Sequence, residues 1–311
     1  MHNKIHYLIF ITALLFLAAC GSKKAVVEVP TSALTDVPIL QPGEPPAETE
    51  RTLEDSDASI KAEEKRVVSG DNYLNNLYER SFTAIDMEYQ PDLNILTASI
   101  ASDESFFYFT LTLDGADPVS GKLTGAYGIE FDRTQTGRGD LLVWVTNPTR
   151  EWSMNGITVY IDNSAVVGGL KPVVAEEGYQ GKGYTETIAL SGDDAAWARI
   201  DPDDPNAVQI AVSRALIVSE EFIWGAWADG GIKDPSLFDY DDHFGQSEAG
   251  SPNKDEVDYP IKALYSLDNT CRFSYGFETA GEVPGVCISG GSGNCYCAKY
   301  LRTFCVDWDC E

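Results

Sequence analysis

The chain has 311 residues, 43% apolar and 23% charged, enough to bury a core and unlike the composition of a disordered protein. Its 49 acidic and 22 basic residues leave a formal charge of −27, which excludes binding to a phosphate backbone; no nucleic-acid partner is expected. His2, His6 and His243 are the only imidazoles, so a multi-His zinc centre is excluded once the N-terminal segment is removed.

Residues 1–19 have the layout of a secretory signal. Lys4 is the positive end, Ile5 to Leu17 is almost wholly apolar, and the small residues Ala18 and Ala19 precede Cys20. The apolar run is shorter than the roughly 20 residues a spanning helix needs. Leu17-Ala18-Ala19-Cys20 resembles a bacterial lipobox. The resemblance implies a mature chain starting at Cys20, which carries a diacylglyceryl thioether and an N-acyl chain, since stable anchoring takes more than one chain. It implies a lipid-anchored, extracytoplasmic protein of the bacterial cell envelope, with the membrane as partner through Cys20.

Residues 20–70 read as the acylated cysteine and a tether. Pro30, Pro38, Pro42, Pro45 and Pro46 alternate with acids, and apolar periodicity is absent apart from a short helical pattern near 57–68. Fifty flexible residues reach on the order of 40 Å.

From 71 to 270 the pattern is that of strands. Phe107, Phe109, Leu111 and Leu113 alternate with Tyr108, Thr110 and Thr112. Comparable runs cover 92–100, 125–132, 140–146, 156–162, 184–190, 207–213 and 220–228, separated by Gly, Pro, Asp and Asn clusters. Short strands with frequent turns, no long amphipathic helix and no fixed repeat predict an all-β, antiparallel β-sandwich.

Two loops offer oxygen ligands. Residues 132–140 place Asp132, Thr134, Thr136, Gly137 and Asp140 like the start of a calcium loop. The carboxylates are lost at the third and fifth positions, however, and Val143 stands where a bidentate Glu belongs, so an EF-hand is out and a weaker site through Asp132 and Asp140 or a plain polar hairpin remains. Asp229, Asp234, Asp239, Asp241 and Asp242, interrupted by Gly230, Gly231 and Pro235, form the denser stretch and are the first expected Ca²⁺ ligands; the bland alternative is a solvated acidic loop. His243 has no accompanying Ser or Cys nucleophile motif, and Gly-x-Ser-x-Gly and the phosphate-binding glycine loops are absent. No catalytic residue is assigned.

Exposed aromatic rings suit sugar rings or peptides, which makes Trp152, Trp224, Trp227 and Tyr184 the candidate ligand contacts, against the alternative that they are core. Period two places Phe222 and Trp224 on one face of their strand and Trp227 on the other.

Residues 271–311 hold Cys271, Cys287, Cys295, Cys297, Cys305 and Cys310, which in an exported chain read as three disulfides in a small appendage. If Cys271 pairs with Cys287, Cys295 and Cys297 each bond to one of Cys305 and Cys310, because C-x-C neighbours are poorly placed for each other. A four-thiolate zinc site is the rival.

Pro91-Asp92-Leu93-Asn94-Ile95 through Asp103-Glu104-Ser105-Phe106-Phe107-Tyr108-Phe109 resembles the opening of DOMON-like and family 9 carbohydrate-binding modules. Gly128-Ile129-Glu130-Phe131-Asp132, Gly137-Arg138-Gly139-Asp140 and Trp224-Gly225-Ala226-Trp227-Ala228-Asp229 are similar to bacterial surface lipoproteins. The resemblance implies a β-sandwich whose loops bind a glycan or similar ligand, stiffened by calcium. The expectation is therefore a non-enzymatic lipoprotein binding an extracellular carbohydrate or peptide. The alternatives are a carbohydrate-active hydrolase using two loop carboxylates, or a structural or adhesion protein with no small-molecule site.

Overall fold

The computed structural model describes residues 38–135, 139–163, 167, 183–279 and 286–287, and the backbone of 295–301 and 304–310. The expected signal segment and Cys20 lie outside the described residues. The strands are β1 (Arg51–Glu54), β2 (Glu79–Arg80), β3 (Ile95–Ser102), β4 (Phe106–Leu113), β5 (Ala126–Asp132), β6 (Leu141–Thr146), β7 (Ile157–Ile161), β8 (Glu186–Ile188), β9 (Ala196–Ile200), β10 (Ala207–Ser213), β11 (Phe222–Asp229), β12 (Leu267–Asn269), β13 (Phe273–Tyr275), β14 (Cys295–Leu301) and β15 (Phe304–Cys310). Every run expected from alternation is a strand. The ones the pattern did not announce are β1, β2, β9, β12, β13, β14 and β15.

Two antiparallel sheets form the expected sandwich. The first has the order β1-β3-β4-β10-β9; the second runs β2-β12-β11-β5-β6-β7-β8, with β13 also paired to β11. Phe107, Phe109, Leu111 and Leu113 of β4 meet Phe131, Val143 and Trp224 of the second sheet in one core, and Phe131 and Trp224 stand edge-on to Phe109. The pleat turns alternate side chains to the opposite face, which is why Tyr108 leaves this core.

The second sheet is covered on both faces. Its outer side chains, Leu142, Trp144 and Trp227, pack with Tyr184, Phe238, Tyr240 and Leu264, several of them from the excursion that joins β11 to β12. This explains why β5 and β11 are buried at every position instead of alternating.

The N-terminal segment corrects the tether reading from residue 38 onward. Ile39 and Leu40 pack on the outer face of the first sheet with Phe106, Tyr108, Trp152 and Trp197. The Trp197 Nε1–H donates to the Leu40 carbonyl at 2.9 Å and the Trp152 Nε1–H to the Gly43 carbonyl at 3.1 Å. Beyond this strap, β1 pairs with the edge of β3 and buries Leu53, and a 3-10 turn at Ala58–Glu64 lies in the region of expected helical pattern. Few apolar residues suffice here, because the partner sheet already exists.

Cys271 and Cys287 form a disulfide. β14 and β15 form a hairpin whose backbone register sets Cys295 opposite Cys310. The pairing of Cys295, Cys297, Cys305 and Cys310 lies outside the described side chains.

Candidate functional site

The outer face of the first sheet carries a groove of about 440 Å³ between the sheet and the strap. Its floor follows from register. Ser99, Thr110, Gln209 and Arg199 are successive cross-strand partners on β3, β4, β10 and β9, a polar row running across the sheet. The neighbouring row contains Ala101, Tyr108, Ala211 and Trp197. Small and aromatic residues thus flank a line of hydrogen-bonding groups.

Arg199 organises this surface. It donates from Nε to Gln209 Oε1 at 2.7 Å, and from its two terminal nitrogens to Glu44 at 3.0 and 2.5 Å. Its guanidinium lies 4.4 Å from the centre of the Trp152 ring. The Gln209 amide donates to Asp201 Oδ2 at 2.8 Å. The hydrogen bonds from Arg199 hold the Glu44 carboxyl below its ordinary range.

Of the aromatic contacts expected from sequence, none lines this groove; Trp152 comes nearest, half-buried beside Tyr108 and Arg199, which do line it. Trp224 is 2% exposed inside the sandwich, while Trp227 and Tyr184 are 3% and 1% exposed under the β11–β12 excursion. These three are corrected from ligand contacts to core residues. Phe222 and Trp224 do share a face and Trp227 does take the other, but the excursion covers that other face. Tyr184 Oη donates to Glu130 Oε1 at 3.0 Å, and Trp227 Nε1 to Glu130 Oε2 at 3.3 Å, where Arg272 also binds at 2.9 Å. Burial pushes the Glu130 carboxyl up, with the Arg272 charge opposing.

The expected calcium ligands are used as caps and pairs. Asp229 is buried and accepts the amides of Gly231, Ile232 and Lys233 at 2.9, 2.9 and 2.7 Å, plus Tyr240 Oη at 3.2 Å. Asp234 caps the next turn through the Ser236 amide and hydroxyl. Asp239 accepts from Asn76 Nδ2 at 2.7 Å, and the Asp241 carbonyl from Tyr73 Oη at 3.2 Å. Asp242 lies in the short helix Tyr240–His243, and its side chain is outside the described residues. In the β5–β6 loop, Arg133 Nε donates to Asp140 Oδ1 at 2.5 Å and its amide to Oδ2 at 2.8 Å, while Thr134 Oγ1 donates to Asp132. Gly137 is outside the described residues. Local backbone donors reach Asp229, Asp234 and Asp140, and the Arg133 guanidinium also reaches Asp140; among the described residues no three of the expected ligands bring their oxygens together.

A different set does converge. One oxygen each from Asp55, Glu79 and Asp268 lies within 4.8 Å of the other two. Among the described residues this is the one such group. Glu79 and Asp268 are direct partners on β2 and β12, and Asp55 follows directly on β1 of the other sheet. Glu79 is 2% exposed and Asp268 0%; Asp55 is half-buried. Asp55 Oδ2, Glu79 Oε2 and Asp268 Oδ1 are shielded from solvent and accept no hydrogen bond from an N–H or hydroxyl of the described residues, while the Glu79 and Asp268 carboxyls lie within hydrogen-bonding reach of each other, which favours the proton on Glu79. The second oxygen of Asp268 accepts the Ile95 amide at 2.7 Å. Burial raises all three carboxyls. Asp55 is pushed up to about 8 by burial, against the Ser56 amide, while the charges of Asp268, Asp55 and Asp71 add to burial at Glu79. Gly70, at φ +96°, makes the approach feasible: a Cβ there would come within 2.5 Å of Glu79 Cγ and of Ser56 Oγ. With its members far apart in sequence, no local motif announced the group.

No family model matches the chain, and neither a curated protein nor a solved structure resembles it significantly. Among the described residues, no helix is long and apolar enough to cross a membrane.

Proposed function

We propose that the protein is a lipid-anchored, extracytoplasmic binding protein that takes a carbohydrate in the groove on the outer face of its first sheet. The observation that carries this reading is the polar row Ser99–Thr110–Gln209–Arg199 set beside Tyr108 and Trp152. Sugars present hydroxyls in a plane and C–H groups above it; fixed polar side chains meet the first and aromatic rings the second. Rigid strands hold these groups at fixed spacing, which lowers the entropic cost of binding. The charge of −27 favours neutral glycans over anionic ones.

The groove favours binding over hydrolysis. Glu44, the groove carboxyl that meets Arg199, is held ionised by it. A glycosidase acid needs the opposite, a carboxyl kept protonated.

The reading is tested by a glycan-array screen of the mature chain carrying Cys20→Ser, repeated with Trp152→Ala and Gln209→Ala added. Retained glycans that both groove variants lose support the assignment; binding unchanged by either variant refutes it. The anchor is tested separately: Cys20→Ser should move the protein from the membrane to the soluble fraction and stop incorporation of labelled fatty acid.

A further inference from the structure

We propose that Asp55, Glu79 and Asp268 form a calcium-binding site that clips the N-terminal strand of the first sheet onto the edge of the second. The argument starts from three orphaned oxygens. Buried polar atoms in folded proteins nearly always have a partner, and a carboxylate oxygen left without one is costly. Here each of three side chains carries one such atom, and the same three side chains bring a carboxylate oxygen each within 4.8 Å of the other two. Like charges directly opposite on neighbouring strands repel, and Glu79 and Asp268 are such a pair.

Among the described residues no cation answers them. The charged groups that act on Glu79 are Asp268, Asp55 and Asp71, and Asp71 is itself engaged by Arg80 at 2.7 and 3.0 Å. Protons would satisfy the cluster only if more than one carboxyl stayed protonated, because a single proton joins one pair and leaves the third side chain unmet. A divalent cation meets all three at once.

The donor set names the metal class. Three carboxylates with neither His nor Cys select a hard cation. Two oxygens bound to one Ca²⁺ lie at most about 5.2 Å apart, twice the longest bond of roughly 2.6 Å, and the three carboxylates, each with an oxygen within 4.8 Å of the others, meet that limit. Mg²⁺ is disfavoured because it gives up water reluctantly and this site is buried. The Ile95 amide fixes Asp268 through Oδ2 and leaves Oδ1 without a donor, the kind of supporting bond that orients metal ligands.

The test uses the mature chain and CaCl₂ itself. Titration calorimetry should find one Ca²⁺ per chain. Melting in Ca²⁺ at 100 times its dissociation constant should lie roughly 5–10 °C above melting in chelator, with a smaller effect of Mg²⁺. Glu79→Gln and Asp268→Asn should each abolish the response, and Asp234→Asn, in the Asp-rich stretch, should keep it. The stoichiometry on the unaltered chain decides the matter even if a variant fails to fold. No binding heat with the same melting curve in chelator, Ca²⁺ and Mg²⁺ overturns the proposal. So does a response that survives Glu79→Gln and vanishes with Asp234→Asn.

Discussion

Glu79 and Asp268 stand opposite each other on β2 and β12, both buried, each with one carboxylate oxygen lacking an N–H or hydroxyl donor and Asp55 closing the triangle. Without a cation, each of the three carboxyls keeps its proton to a higher pH in the folded state than in the unfolded chain, where such groups titrate near ~4. The folded state then binds more protons, so this contribution to stability is complete below the unfolded value and is lost as pH rises through the folded one, about 8 for Asp55. The melting temperature in chelator should fall between pH 5 and pH 8, and Glu79→Gln should flatten the slope. The carboxyls with lowered values, Glu44 and Asp103 among them, act in the opposite sense but below that window. A melting temperature that rises from pH 5 to 8 in chelator would contradict the assignment.

Arg272 and Glu130 form a buried ion pair at 2.9 Å beneath the β11–β12 excursion. Removing one partner strands a charge, which costs about 3–5 kcal/mol, whereas removing both costs far less. Arg272→Met should therefore destabilise strongly in urea titration, and adding Glu130→Gln should recover part of the loss. Equal midpoints for the single and double variants would show that the pair is not coupled.

The Cys271–Cys287 bridge closes a loop with a sequence separation of 16 and holds the entry to β13. Closing such a loop stabilises by roughly 3 kcal/mol in the chain-entropy model. Cys271→Ser with Cys287→Ser should lower the guanidinium midpoint accordingly. An unchanged midpoint would mean that the unfolded chain is already constrained there.

Trp152 and Trp224 separate binding from folding. Trp224→Ala empties a site in the sandwich core beside Phe109 and should cost about 3–5 kcal/mol. Trp152→Ala removes a half-buried ring beside the groove. It should weaken glycan binding by about tenfold, the effect of roughly 1.4 kcal/mol, while moving the melting temperature much less than Trp224→Ala. Similar destabilisation by both, measured by calorimetry, would make Trp152 structural.

What the sequence by itself determined is local. Alternation over 106–113 placed Phe107 and Phe109 on one face of a strand and Tyr108 and Thr110 on the other, and the same period separated Trp224 from Trp227. The cysteine positions pointed to disulfides and allowed a Cys271–Cys287 bridge without fixing it. Periodicity assigns faces, however, and says nothing of what covers them. Only the tertiary structure decided that the outer face of the second sheet lies beneath the 230–266 excursion, which turned Trp227 and Tyr184 from candidate contacts into core. It likewise decided that the strap from residue 38 lies on the first sheet, with Glu44 on Arg199. The acidic stretch 229–242 was conspicuous because its carboxylates are close in sequence, yet that closeness lets nearby amides reach them first, as at Asp229. Asp55, Glu79 and Asp268 are remote in sequence, and each keeps one buried oxygen without a donor. Strand register alone brings them together, and register depends on pairings that no short stretch of sequence encodes.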